Sequence, residues 1–210
     1  MENTAMENTR TKTTRNSLIL LLTAAIWGMA FVSQSKGMDY MHPFTFNGVR
    51  SLIGAASILV YILISRKIAG DKAAPLDWKL NVKAGLLCGI FLTIASTLQQ
   101  FGIKYTSVGK AGFITTLYII FVPMFGIFLK KKVAPVVWAA AVMAAVGMYL
   151  LCMTESLRLG AGDIMVFLCA IAFAIQIMTV DHYAARIDGA VVSCIQFTVC
   201  GVVCCIGALI

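Results

Sequence analysis

Arg50 stands seven residues beyond Pro43 in an otherwise apolar run. Pro43 suits the first turn of a helix, which would carry the guanidinium about 10 Å into a membrane. A charge at that depth is costly and normally faces a partner or a pathway. It fits an anchor for an anionic or carboxylate-bearing ligand, and equally a structural hydrogen bond or a chain snorkelling to the interface. Other polar residues fall in stripes. Thr93, Ser96, Thr97 and Gln100 recur at i, i+3, i+4 and i+7, as do Asn47, Arg50, Gly54 and Ser57; Trp27 shares a helical face with Gln34, and Thr115 with Tyr118. Singly, such groups are interhelical glue worth under about 1–2 kcal/mol each. Together, four polar faces can line a water-filled cavity. The candidate substrate-binding residues are therefore Trp27, Gln34, Asn47, Arg50, Ser96, Gln100, Thr115 and Tyr118, with Pro123 as a helix bend.

Enzyme chemistry finds little footing. The chain has no H-E-x-x-H, no G-x-S-x-G and no carboxylate pair inside an apolar run, so no catalytic residue is assigned. Its only histidines, His42 and His182, fall at the ends of apolar runs. The seven cysteines form no C-x-x-C pair and read as small buried hydrophobes, so neither a metal nor a cofactor is expected. A phosphate-binding Gly-rich loop is also missing, which leaves no nucleotide engine. Asp163 and Asp181 lie near run ends, and no acid sits deep enough to couple protons.

The elements that must carry these residues are membrane helices. Sixty percent of the 210 residues are hydrophobic, more apolar surface than a soluble domain of this size can bury. Seven apolar stretches are long enough to span a bilayer: Leu18–Ser35, Phe44–Ile64, Val82–Ile103, Val108–Leu129, Val136–Met153, Gly162–Tyr183 and Ala190–Ile210. If they alternate, twelve Lys/Arg fall on one side (Arg10, Lys12, Arg15, Arg66, Lys67, Lys72, Lys79, Lys83, Lys130, Lys131, Lys132, Arg186). Only Lys36, Lys104, Lys110 and Arg158 fall on the other. This bias makes the N-terminus cytoplasmic. It also accounts for the net charge of +8 without nucleic acid. The polar leader, residues 1–16, is expected to be disordered. The expected location is a cell membrane, the bacterial plasma membrane, crossed several times. Expected partners are the lipid bilayer, a small-molecule substrate and a second copy of the chain.

A weak internal repeat relates Trp27, Pro43 and Arg50 to Phe173, Gly189 and Gln196 with the same spacings of sixteen and seven. The offset covers five spans, an odd number, so the second copy would be inverted, as in many secondary transporters. The expected fold is an all-α polytopic bundle of inverted five-span repeats. Residues 17–153 form the first repeat, and residues 162–210 form the first two spans of an incomplete second.

The stretch Thr93–Gly126, TIASTLQQFGIKYTSVGKAGFITTLYIIFVPMFG, resembles the EamA-type branch of the drug/metabolite transporter superfamily. AAIWG in the first span and HPF at the start of the second fit as well. The resemblance implies ten spans, with the first four of each half around the substrate path and the fifth at the periphery. It also implies export or exchange of small metabolites such as amino acids. Carried over by position, Trp27, Arg50, Gln100, Thr115 and Tyr118 line the cavity. Two features depart from the pattern. Many relatives carry a Glu just after the fourth span, where this chain has Lys130, Lys131 and Lys132, and about three helices of the implied fold are missing. The expected function is secondary, non-ATP-driven transport by alternating access; the alternative is a truncated, non-transporting membrane protein or accessory subunit. A seven-helix receptor fits poorly, because a cytoplasmic N-terminus is the wrong orientation for the common class.

Overall fold

The computed structural model describes residues 2–70, 76–129, 133–152 and 160–210, with the side chains of 2–12, 148, 151 and 152 left aside. Lys72, Lys130, Lys131, Lys132, Arg158 and the expected end of the fifth span at Met153 lie outside the described residues. No strand occurs among the described residues. The helices are α1 (Glu2–Gly37), α2 (Pro43–Ala69), α3 (Trp78–Tyr105), α4 (Val108–Thr116), α5 (Tyr118–Phe128), α6 (Pro135–Cys152), α7 (Ala161–Tyr183) and α8 (Gly189–Ala208). Among the described residues, six segments are long and apolar enough to cross a membrane, with α4 and α5 together forming one of them. The chain is thus a multi-pass membrane protein. The described apolar part of α6, Pro135–Gly147, is shorter than a full span.

Local chemistry sets the helix ends. Pro43 opens α2, where its missing N–H costs nothing. Asp77 and Ser107 cap α3 and α4 by accepting from Leu80 N at 3.1 Å and Lys110 N at 3.2 Å. Asp188 caps α8, accepting from Ala190 N and Val191 N at 3.0 and 3.2 Å. Gly70 closes α2 at φ 50°, a left-handed conformation that only a residue without Cβ adopts cheaply.

Two features differ from the sequence expectations. Helix α1 starts at Glu2, so the backbone of the leader is helical. Residues 2–16 contain neither Gly nor Pro, and once a span is formed, adding a turn avoids the cost of nucleation. The fourth span is interrupted at Leu117, whereas Pro123 lies inside α5. Thr116 Oγ1 donates back to Phe113 O at 2.7 Å and to Gly112 O at 3.2 Å. Such back-bonding bends helices. Pro123 adds the loss of its own N–H.

Helix α3 is the centre of the bundle, packed along α7 and α8, while α2 runs along α8. Small residues make these contacts close. A Cβ added at Gly85 would meet Ile195 at 2.7 Å, and one at Gly89 would meet Val199 at 2.8 Å. The G-x-x-x-G face of α3 therefore seats two residues one turn apart on α8. At the other end of α3, a Cβ on Gly162 would meet Gly102 O at 2.8 Å, and a Cβ on Gly102 would collide with Val166. Helix α1, by contrast, touches only α3 and α4 appreciably.

Polar junctions tie both ends of this core. Asp163, 3% exposed, accepts from Gly160 N at 2.9 Å and from Thr106 Oγ1, and pairs with Lys110 Nζ at 3.8 Å. At the opposite end Asp188 N donates to Asn81 Oδ1 at 2.9 Å, and Asp188 pairs with Arg66 at 3.6 Å.

Gly162→Leu is expected to destabilise the bundle by about 1–3 kcal/mol or more through overpacking against backbone. Gly112→Leu should be tolerated far better, because nothing lies within 4 Å of its added Cβ. A thiol-reactive dye that reports exposure of buried Cys88, Cys169, Cys200 and Cys204 on heating measures the difference.

Candidate functional site

Two polar clusters flank the middle and one end of α3. The first lies between α1, α3 and the α4–α5 break. Trp27, Phe31 and Gln34 share one face of α1, and Phe31 packs on the core of Ile103, Ala111, Ile114 and Val166. This contact sets Gln34 against α3. Gln100, fully buried, donates from Nε2 to Gln34 O at 3.4 Å. Gln34 in turn donates from Nε2 to Ala30 O at 3.2 Å. The amide oxygens of both residues, Gln34 Oε1 and Gln100 Oε1, are buried without a hydrogen-bond partner. Gln99 donates to Thr115 Oγ1 at 3.3 Å, tying α3 to α4. Just past the Leu117 break, the Tyr118 ring lies 6.4 Å from that of Trp27, tilted by 57°.

The second cluster lies between α2, α3 and α8. Asn47, fully buried, donates from Nδ2 to Ser96 O at 2.9 Å and accepts at Oδ1 from Arg50 Nη2 at 2.9 Å. Arg50 also sits 5.6 Å from the Phe46 ring, a cation–π distance. Asn47 thus relays between a backbone carbonyl and the guanidinium, fixing one side of a charge that remains exposed on the surface of α2. Behind it, Ser51 Oγ donates to Cys200 Sγ at 3.4 Å, and Ser96 Oγ lies at the same distance from that sulfur.

The sequence-derived candidates separate along these lines. Gln34 and Gln100 come together, as do Trp27 with Tyr118 and Asn47 with Arg50 and Ser96. Thr115 joins through Gln99. Arg50 meets neither Trp27 nor Tyr118. Trp27 is 55% exposed, so its side of the site is open. Gln99 was not among the candidates; it stands next to Gln100 but off the stripe that selected it. Cys200 reads in the sequence as a small hydrophobe, yet it accepts a hydroxyl hydrogen bond. Gln176 Nε2 donates to Gln196 Oε1 at 3.1 Å, a pair that two isolated glutamines in apolar runs could have signalled. Among the described residues, no group of three or more His, Cys, Asp or Glu could hold a metal.

Residues 15–153 match the EamA-like transporter family. The chain belongs to the EamA-like transporter family. Both polar clusters draw mainly on the matched region; Val166 packs against the first and Cys200 joins the second from beyond it. An uncharacterized transporter of Archaeoglobus fulgidus is 31% identical over 171 residues, which cover 79% of this EamA-like chain and 48% of that protein. The chain therefore spans about half the length of the relative it matches. No solved structure matches it.

The relay makes a specific expectation. Asn47→Ala removes the acceptor that fixes Arg50 and the donor that ties α2 to Ser96 O, costing about 1–3 kcal/mol through the stranded groups. Asn47→Asp keeps the acceptor for Arg50 and loses the donor to Ser96. Thermal unfolding of the two variants in detergent separates the contributions.

Proposed function

We propose that this chain supplies the first part of a secondary membrane transporter for small metabolites. The observation that carries this reading is the pair of orphaned amide oxygens on Gln34 and Gln100. A buried acceptor without a donor costs about 1–3 kcal/mol, so two on contacting residues need an explanation. A ligand that brings N–H or O–H donors between α1 and α3 would satisfy both. The amino group of an amino acid or related compound has this chemistry. The indole of Trp27 and the ring of Tyr118 would flank its apolar part, and Arg50, in the other cluster, would attract a carboxylate on its way along α2 rather than hold it at the glutamines. The break at Leu117 supports the same reading, because discontinuous helices near the midplane form the substrate and ion sites of many transporters.

The spacing relation between Trp27–Pro43–Arg50 and Phe173–Gly189–Gln196 supports an inverted-repeat architecture with alternating access. In that architecture α2 and α8 are equivalent helices, and they run antiparallel against each other, as the contacts Gly48–Cys205 and Leu52–Gly201 require. The side with Arg66, Lys67, Lys79, Lys83 and Arg186 would face the cytoplasm of a bacterial plasma membrane.

Counterflow of radiolabelled amino acids in proteoliposomes tests the proposal. Gln100→Leu and Arg50→Ala should each reduce uptake about 10- to 100-fold, the equivalent of about 1.5–3 kcal/mol for a hydrogen bond to a charged group. Arg50→Lys should recover only part, since an ammonium loses the planar fork. Uptake by folded Arg50→Ala equal to the parent's would make Arg50 structural. No uptake by the folded parent chain would count against transport by these residues alone.

A further inference from the structure

The basic end of the bundle carries a groove that neither polar cluster uses. It lies between α3, α5 and α7, with a volume of about 510 Å³. That is within the roughly 300–1,000 Å³ of typical ligand sites. Its walls are apolar, formed by Leu87, Phe125, Phe128, Ile175 and Met178. His182 and Tyr183 line it at the end of α7. Ile175 lies eight residues from Tyr183, and Leu87 nine from Trp78. By helical rise, the groove therefore reaches about 12 Å inward from the helix ends. The hydrocarbon of one leaflet is about 15 Å deep, half of a roughly 30 Å core.

Groups suited to a headgroup stand at the mouth. Lys83 is one turn before Leu87 and Lys79 one turn before that, so the two lysines extend the groove's face of α3 toward the helix end. Side chains on a helix lean toward its N-terminus, which directs both ammonium groups outward to the headgroup layer. Trp78 is 60% exposed beside them, and with Tyr183 it provides the aromatic ring pair typical of the interface. Arg66 at the same end is engaged by Asp188. Among the described residues, neither Lys79 nor Lys83 has an ion-pair partner.

The geometry points to a site for one anionic phospholipid, an acyl chain seated against Leu87, Phe128 and Met178 and its phosphate held by Lys79 and Lys83. The depth of the groove matches a chain in one leaflet, and the charge at its mouth matches a phosphodiester. A water-soluble metabolite has no use for a long apolar wall that opens at the interface, and an uncharged partner helix has no use for the lysines.

Native mass spectrometry of the delipidated full chain, with dioleoyl phosphatidylglycerol or dioleoyl phosphatidylcholine added, tests this. The parent should retain one phosphatidylglycerol with roughly tenfold preference or more over phosphatidylcholine. Lys79→Gln/Lys83→Gln, at exposed positions that leave folding intact, should remove the preference. Met178→Trp should reduce retention of both lipids by filling the groove. Equal binding of the two lipids by the parent, or a preference that survives the lysine substitutions, overturns the site. Displacement of phosphatidylglycerol by an equal concentration of glycerol phosphate also overturns it, because the ligand would then be a free phosphate.

Discussion

Backbone contact across α3 is the constraint on which the rest of the bundle depends. In a bilayer no hydrophobic force draws helices together, since lipid tails are as apolar as leucine. Association has to come from close packing and interhelical hydrogen bonds. Glycines at 85, 89 and 102 give α3 two flat faces, one taking Ile195 and Val199 of α8 and the other taking Gly162 and Val166 of α7. Once α7 and α8 are seated, α2 follows through Gly48 against Cys205 and Gly201 against Leu52. The other helices are arranged around this four-helix core.

That core determines what the polar residues can do. Its two ends are closed by charged junctions, Asp163 with Lys110 and Thr106 at one end, Asp188 with Arg66 and Asn81 at the other. Its middle holds the Asn47–Ser96 bond and the hydroxyls around Cys200. Helix α1 and the interrupted α4–α5 span lie outside it with fewer contacts. The unsatisfied oxygens of Gln34 and Gln100 are thus at the boundary between a tightly packed part and a loosely held part. A ligand bound there would bridge the two parts.

The proposed substrate chemistry would rest on the amide oxygens and on Arg50, held on one side by Asn47 and Phe46 and open on the other. The lipid groove at the basic end is separate from that chemistry, and would bear on stability and orientation in the bilayer more than on substrate choice.

Composition and periodicity alone determined that the chain is a helical membrane protein, because apolar runs of this length have no other stable form in lipid. The glycine spacing on α3 and the stripe through Ser96 and Gln100 were also legible, since residues three and four apart must share a face. The chain order by itself could not say which faces meet. Gln99 and Gln100 differ by one position, and only the placement of α4 and α1 gives one Thr115 and the other Gln34. The interruption at Leu117 was hidden behind the stronger signal of Pro123; the Thr116 back-bond beside it has counterparts at Thr93, Thr179 and Thr198 in uninterrupted helices, so spacing alone does not mark it. The separation of Arg50 from Trp27 and Tyr118 was equally unreadable. Helical spacing fixes angles around one axis, whereas the distance between two axes is set by which small residues let them approach.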